Sequence, residues 1–248
     1  MAEWNDPRTT GVNTAATVGV PRAARDVGLR SYMLSVYNYM ASGVLLTGII
    51  ALLFAPYAAD VLISQSGRGM SLIGWVVTLS PLGIVFAMSF GMQRMRTSTL
   101  QILFWAFAAL MGLSMSTLFL AYTGASIAQT FFATAAAYLG LSLYGYTTKR
   151  DLSGMRTFLV MGVVGILIAM LINIFLRSPA FDMAISAIGV LLFAGLTAYD
   201  TQKIKSVYFA VAGHGEAMAK TAVMGALQLY LDFINMFLFL LRFMGDRR

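Results

Sequence analysis

Cysteine is absent from the 248 residues, which removes a disulfide framework, a thiolate metal site and a cysteine nucleophile together. A single histidine, His214, excludes histidine clusters. Charge is scarce: 11% of residues are Asp, Glu, Lys or Arg, against about 25% in soluble domains. Hydrophobic residues make up 59% of the chain and mean hydropathy is +0.78. A surface this apolar cannot be hidden from water, so the solvent is lipid. The net charge of +7 comes without a basic patch interleaved with aromatics, so nucleic acid is not a partner. A basic excess in a membrane protein gathers instead in cytoplasmic loops.

Apolar blocks of about 20 residues, enough to cross a bilayer as helices, follow one another. They run Tyr32 to Phe54, Leu72 to Met92, Leu100 to Ala121, Ile127 to Tyr146, Phe158 to Leu176, Phe181 to Thr201 and Ala222 to Arg242. The pattern predicts an all-α integral membrane protein with seven transmembrane helices: a polar cytoplasmic tail, residues 1–30, then a single membrane domain, residues 31–248. The first run begins only at Tyr32 and is too long for a signal-peptide core, so no cleaved signal is expected. No internal repeat argues for a two-fold transporter.

With the N-terminus inside, cytoplasmic segments hold Arg8, Arg22, Arg25, Arg30, Arg94, Arg96, Lys149, Arg150, Arg156, Lys203, Lys205 and Lys220, and outer loops only Arg68 and Arg177. The tail breaks the rule. Arg242, Arg247 and Arg248 lie outside if the seventh segment spans, and inside if it re-enters. Small residues such as Ala133, Ala137 and Gly140 in the fourth span are expected at close helix contacts.

Asp232 sits in the middle of the last span, where charge costs about 2.5–3.5 kcal/mol on insertion scales. Gln228, Asp232 and Asn235 follow i, i+4, i+7 and share a face, with Arg242 further along it. A polar stripe on an apolar helix faces the bundle interior or a water-filled path, which makes Gln228 and Asn235 candidate pore-lining residues. A second acid, Asp200, ends the sixth apolar run, with Thr197 one turn behind. Asp232 lies about 15 Å into its helix, so the acids meet only if the sixth helix continues past Lys205 or a cavity lets water reach inward. Two buried carboxylates a few ångströms apart cannot both ionise cheaply and hold a shared proton. Such a di-aspartyl pair is a pH-sensitive latch, and Arg94, directly after the second span, is the candidate arginine partner for a freed carboxylate.

The stretches AYDTQKIK and LYLDFINMFLFLLRF resemble the paired signature of the Bax inhibitor, or transmembrane Bax inhibitor motif, family, and the resemblance covers residues 30–248. It implies six helices around a central seventh and a pH-dependent Ca²⁺ leak. It also implies that Asp200 and Asp232 are the pH-sensing pair, with Arg94 as their alternative partner. The chain is similar to bacterial members, which implies an inner membrane location. Two departures are visible: the loop from Thr201 to Thr221 is longer than in compact bacterial relatives, and Gly83 stands where some members have an acid.

Ca²⁺ follows from the resemblance alone, because no cage of acids exists to supply six or more oxygens. Asp232 is the one candidate for a weak contact, and no cofactor is expected. An intramembrane aspartyl protease also pairs acids on consecutive spans, but it needs GxGD where this chain has the bulky LYLD, so no enzyme is expected. A retinal protein needs a lysine in the last span, which is missing. The other alternative is a non-channel protein that modulates a membrane-anchored ATP-dependent protease through its N-terminal tail.

Overall fold

A computed structural model describes residues 22–64 and 69–247. The tail up to residue 21 with Arg8, the side chains of Arg22 and Arg25, and Arg68 and Arg248 lie outside the described residues. Seven helices are long and apolar enough to cross a membrane: α1 (Arg22–Phe54), α2 (Leu72–Gly91), α3 (Thr97–Met115), α4 (Gly124–Thr147), α5 (Arg156–Leu176), α6 (Pro179–Val211) and α7 (Gly215–Met244). Short helices Ala58–Leu62 and Leu118–Ala121 close off α1 and α3, and no β-strand occurs among the described residues.

Local chemistry sets the ends. Ser71, Thr123 and Ser178 cap α2, α4 and α6 by accepting from the amides of Gly74, Ser126 and Phe181. Pro179 adds a pre-set first turn to α6. Gly213, at φ +90°, makes the tight turn between α6 and α7.

α7 is the hub. Two-thirds of its most apolar window is buried, against a third or less in every other span. It packs against α6, α1, α4 and α3, while α2 leans on α3 and α5 on α6. The outward faces stay apolar, as Phe175, Phe90 and Leu72 show at more than four-fifths exposed; lipid meets them without the cost water would impose. Burial of apolar area therefore does not drive the helices together, and packing and interhelical hydrogen bonds must.

Two expectations change, and the alternative left open for the seventh segment closes. Residues 201–221 are not a loop, because α6 runs on to Val211 and α7 begins at Gly215. Ile204 and Tyr208 keep an inward apolar stripe through that polar stretch while Lys203 and Ser206 face out. Ala133, Ala137 and Gly140 face outward, and a Cβ on Gly140 would meet nothing within 4 Å. α4 instead turns in Ser126, Thr130, Thr134, Tyr138 and Ser142, spaced every fourth residue, which keeps five hydroxyls out of the lipid-facing side. The close approach lies at Gly145, where a Cβ would overlap the Ala198 carbonyl. The seventh segment does not re-enter: α7 is one helix of 30 residues, about 45 Å long. Its terminal arginines find Asp182 at the start of α6, at 3.5 Å from both Arg242 and Arg247.

Candidate functional site

The α6–α7 hairpin brings Asp200 and Asp232 to one level. α6 continues eleven residues beyond Asp200, about 16 Å, so the acid that ends the apolar run is deep within the bundle. The two carboxyls are 3% and 4% exposed and lie within side-chain hydrogen-bonding reach of each other. Gln228, one turn before Asp232, reaches Asp200 as well. One oxygen on each acid, Oδ1 of Asp200 and Oδ2 of Asp232, has no partner. Buried polar atoms left unpaired in a native fold are rare and concentrate where function requires them.

The neighbours come from three further elements. Tyr138 of α4, also buried, has a hydroxyl without a hydrogen-bond partner and interacts electrostatically with Asp232, Tyr37 and Asp200. Thr201 Oγ1 lies 3.1 Å from Ser142 Oγ, and Tyr37 Oη of α1 lies 2.6 Å from the same serine. A cavity of about 360 Å³ between α2, α6 and α7, lined by Ser89, Lys203, Thr221 and Gln228, approaches from the side of the α6–α7 turn. Lys203 is the cation whose field reaches both acids.

The remaining residues of the AYDTQKIK stretch lock α6 to its surroundings. Gln202 accepts from the Leu152 amide at 2.8 Å and donates to the Arg150 carbonyl at 2.7 Å. Lys205 donates to the Tyr146 carbonyl at 2.7 Å and lies 4.9 Å over the Tyr146 ring. The segment that carries Asp200 therefore also holds the end of α4 and the loop after it.

Not every candidate joins the pair. Arg94 is exposed in the turn after α2, and among the described residues it has no acid within ion-pair distance. Asn235 turns its amide to the Leu231 carbonyl of its own helix at 2.8 Å. Arg242 belongs to the Asp182 cluster at the other end of the bundle. Gly83 faces outward with nothing near it. Sequence reasoning missed Tyr138, Ser142 and Tyr37; the four-residue recurrence of hydroxyls along α4 was the available signal for the first two.

Residues 29–248 match the family described as inhibitor of apoptosis-promoting Bax1. The chain belongs to the Bax inhibitor family. It is similar to the Escherichia coli K12 inner membrane protein YbhL, at 44% identity over 229 residues that cover 92% of this chain and 95% of YbhL. It is 49% identical to the uncharacterized protein RP147 of Rickettsia prowazekii over 90% of this chain and 92% of that one. A Caulobacter vibrioides protein is 45% identical over 90% and 91% of the two chains. This Bax inhibitor family member is thus a multi-pass membrane protein.

Proposed function

We propose that the protein is a pH-sensitive cation leak that passes Ca²⁺, gated by a proton shared between Asp200 and Asp232. The observation that carries the reading is the pairing of two carboxyls, each under 5% exposed, on the central helix and its neighbour. Two such groups hold one proton far more readily than two negative charges. With the proton shared, an O–H···O⁻ bond clamps α6 to α7; when the proton leaves, repulsion parts the helices. The cavity lined by Lys203 and Gln228 supports the reading, because it provides an approach to the pair from one end. That end also carries Arg30, Lys149, Arg150, Arg156, Lys205 and Lys220, which favours a cytoplasmic location for it and for the N-terminus. Permeation along so few oxygens is weakly selective.

The test is Ca²⁺ release from proteoliposomes holding purified protein. Wild type should release Ca²⁺ faster at neutral than at acid pH, and Asp232→Asn should abolish that difference. If Asp232→Asn keeps both leak and pH response, the latch reading is wrong. A wild type without flux at any pH favours the reading as an interaction partner of a membrane-anchored protease. Deleting residues 1–21 should then remove partner binding while the bundle still folds.

A further inference from the structure

Between α1 and α4 lies a second opening, a cleft of about 450 Å³ lined by Arg30, Met33, Tyr37, Leu139, Ser142 and Tyr146. It is separate from the cavity at Lys203 and Gln228, and Tyr37 and Ser142 bring two hydrogen-bonded hydroxyls to its lining. Tyr37 Oη is 2.6 Å from Ser142 Oγ, and Ser142 Oγ is 3.1 Å from Thr201 Oγ1. In both contacts either oxygen can be the donor. Thr201 is fully buried and follows Asp200 in the chain. Tyr138 stands one turn from Ser142 on the inward face of α4, with an unpartnered hydroxyl within electrostatic range of Tyr37, Asp200 and Asp232. A hydroxyl both donates and accepts, so each link can take a proton on one lone pair and release its own on the other side. One O–H bond forms as one breaks at every oxygen, with no net change in the relay.

We infer that protons reach and leave the Asp200–Asp232 pair through the hydrogen-bonded hydroxyls of Tyr37, Ser142 and Thr201, from the cleft between α1 and α4. The inference rests on the reading that the pair titrates, and adds the route. The competing route is the cavity lined by Tyr32, Ser89, Lys203, Thr221 and Gln228, where the Gln228 amide stands next to Asp200. The relay is one-sided. Further along α4, Thr134 Oγ1 donates to the Thr130 carbonyl of its own helix at 2.8 Å, so the chain stops at the acids. The groups facing the pair are the neutral Gln228 from α7 and Tyr138 from α4, and the field of the outward Lys203 of α6 reaches it. Tyr37 approaches from α1, with Arg30 beside it in the cleft. α2 shows Ser89 to the neighbouring cavity, and α3 meets α7 with Phe104 and Phe107.

The experiment is a pH jump on proteoliposomes followed by difference infrared spectroscopy of the protonated-carboxyl C=O stretch, which needs no Ca²⁺. Tyr37→Phe and Ser142→Ala should each slow the response at least about tenfold, at or below the low end of what a positioned proton-transferring group supplies. The pH midpoint should not move. Ser142→Thr, which keeps the hydroxyl, should retain the wild-type rate. Ser89→Leu, which narrows the other cavity, should leave the rate unchanged. A band that titrates at wild-type speed in both Tyr37→Phe and Ser142→Ala, or slows only in Ser89→Leu, overturns the relay. A wild type without any titrating carboxyl band overturns the reading of the pair itself, and the relay with it. A titrating band in protein that passes no Ca²⁺ separates the two, because the relay is then still measured.

Discussion

Tyr230, two residues before Asp232, predicts an asymmetric double-mutant cycle. Its hydroxyl lies 2.7 Å from Thr47 Oγ1, and Thr47 Oγ1 donates to the Ala108 carbonyl at 2.8 Å. Threonine has one proton to give, so Tyr230 must donate to Thr47. All three groups are buried: Tyr230 and Ala108 at 0% exposure and Thr47 at 3%. The chain of bonds ties α7 to α1 and α3 in a medium where apolar burial does not hold helices together.

The two ends of this chain are not equivalent. Tyr230→Phe deletes a donor, while Thr47 keeps its bond to Ala108. The ring remains edge-on to Phe107 at 5.0 Å and to Phe104 at 6.4 Å. The loss is one net hydrogen bond, about 0.5–1.5 kcal/mol. Thr47→Val keeps the shape but strands the Tyr230 hydroxyl, and a buried group left unpaired costs about 1–3 kcal/mol. Once Tyr230 is Phe, Thr47→Val strands no tyrosine hydroxyl and loses only the bond to the Ala108 carbonyl, so the double variant should lie about 0.5–1.5 kcal/mol beyond Tyr230→Phe, well short of the sum of the two single variants. Reversible unfolding in mixed detergent micelles gives all three values. The reasoning is refuted if Thr47→Val costs no more than Tyr230→Phe, or if the two sum to the double variant within about 0.3–0.5 kcal/mol, as independent sites do.

Two further outcomes test separate features. Gly145→Ala should destabilise by about 1–3 kcal/mol, because its Cβ must displace the Ala198 carbonyl. Gly140→Ala on the outward face should be neutral or stabilise by up to about 1 kcal/mol; thermal midpoints in detergent check both. In the loop after α4, the Ser153 amide and hydroxyl donate to Asp151 at 2.9 and 2.8 Å and hold its carboxyl below its ordinary value of 3.8. A depressed folded value means that this stabilisation is complete above 3.8 and lost as pH falls through the lower folded value. Ser153→Ala should move the Asp151 titration up toward 3.8 in side-chain NMR, and an unmoved titration would show that these bonds do not set it.

Much of the architecture was legible because lipid enforces a simple code. Seven apolar runs became seven helices, and eight of the fourteen expected ends lie within two residues of the observed ones. Three of the exceptions are informative. The start of α1 and both helix ends around the α6–α7 turn were placed at the loss of apolar residues. Hydrophobicity reports where a helix leaves lipid, not where its hydrogen bonds stop. α6 outlasts its apolar run because Ile204 and Tyr208 still have a core to enter, while Lys205 finds the Tyr146 carbonyl.

The same distinction governs the site. Asp232 was conspicuous because it interrupts a run of grease, and its partner was less so because Asp200 stands where grease ends. A carboxyl at that point reads as solvated at the lipid boundary until the helix is known to continue eleven residues further. The α4 hydroxyls were harder still to value. Small polar residues are common in membrane helices, where a serine or threonine can satisfy itself on the preceding turn. Thr134 does so, bonding the Thr130 carbonyl. Ser142 bonds across helices to Tyr37 and Thr201, and Tyr138 bonds to nothing. Periodicity assigns all of these residues to one inward face, but only the helices packed against that face decide which hydroxyls close on themselves and which look toward the acids.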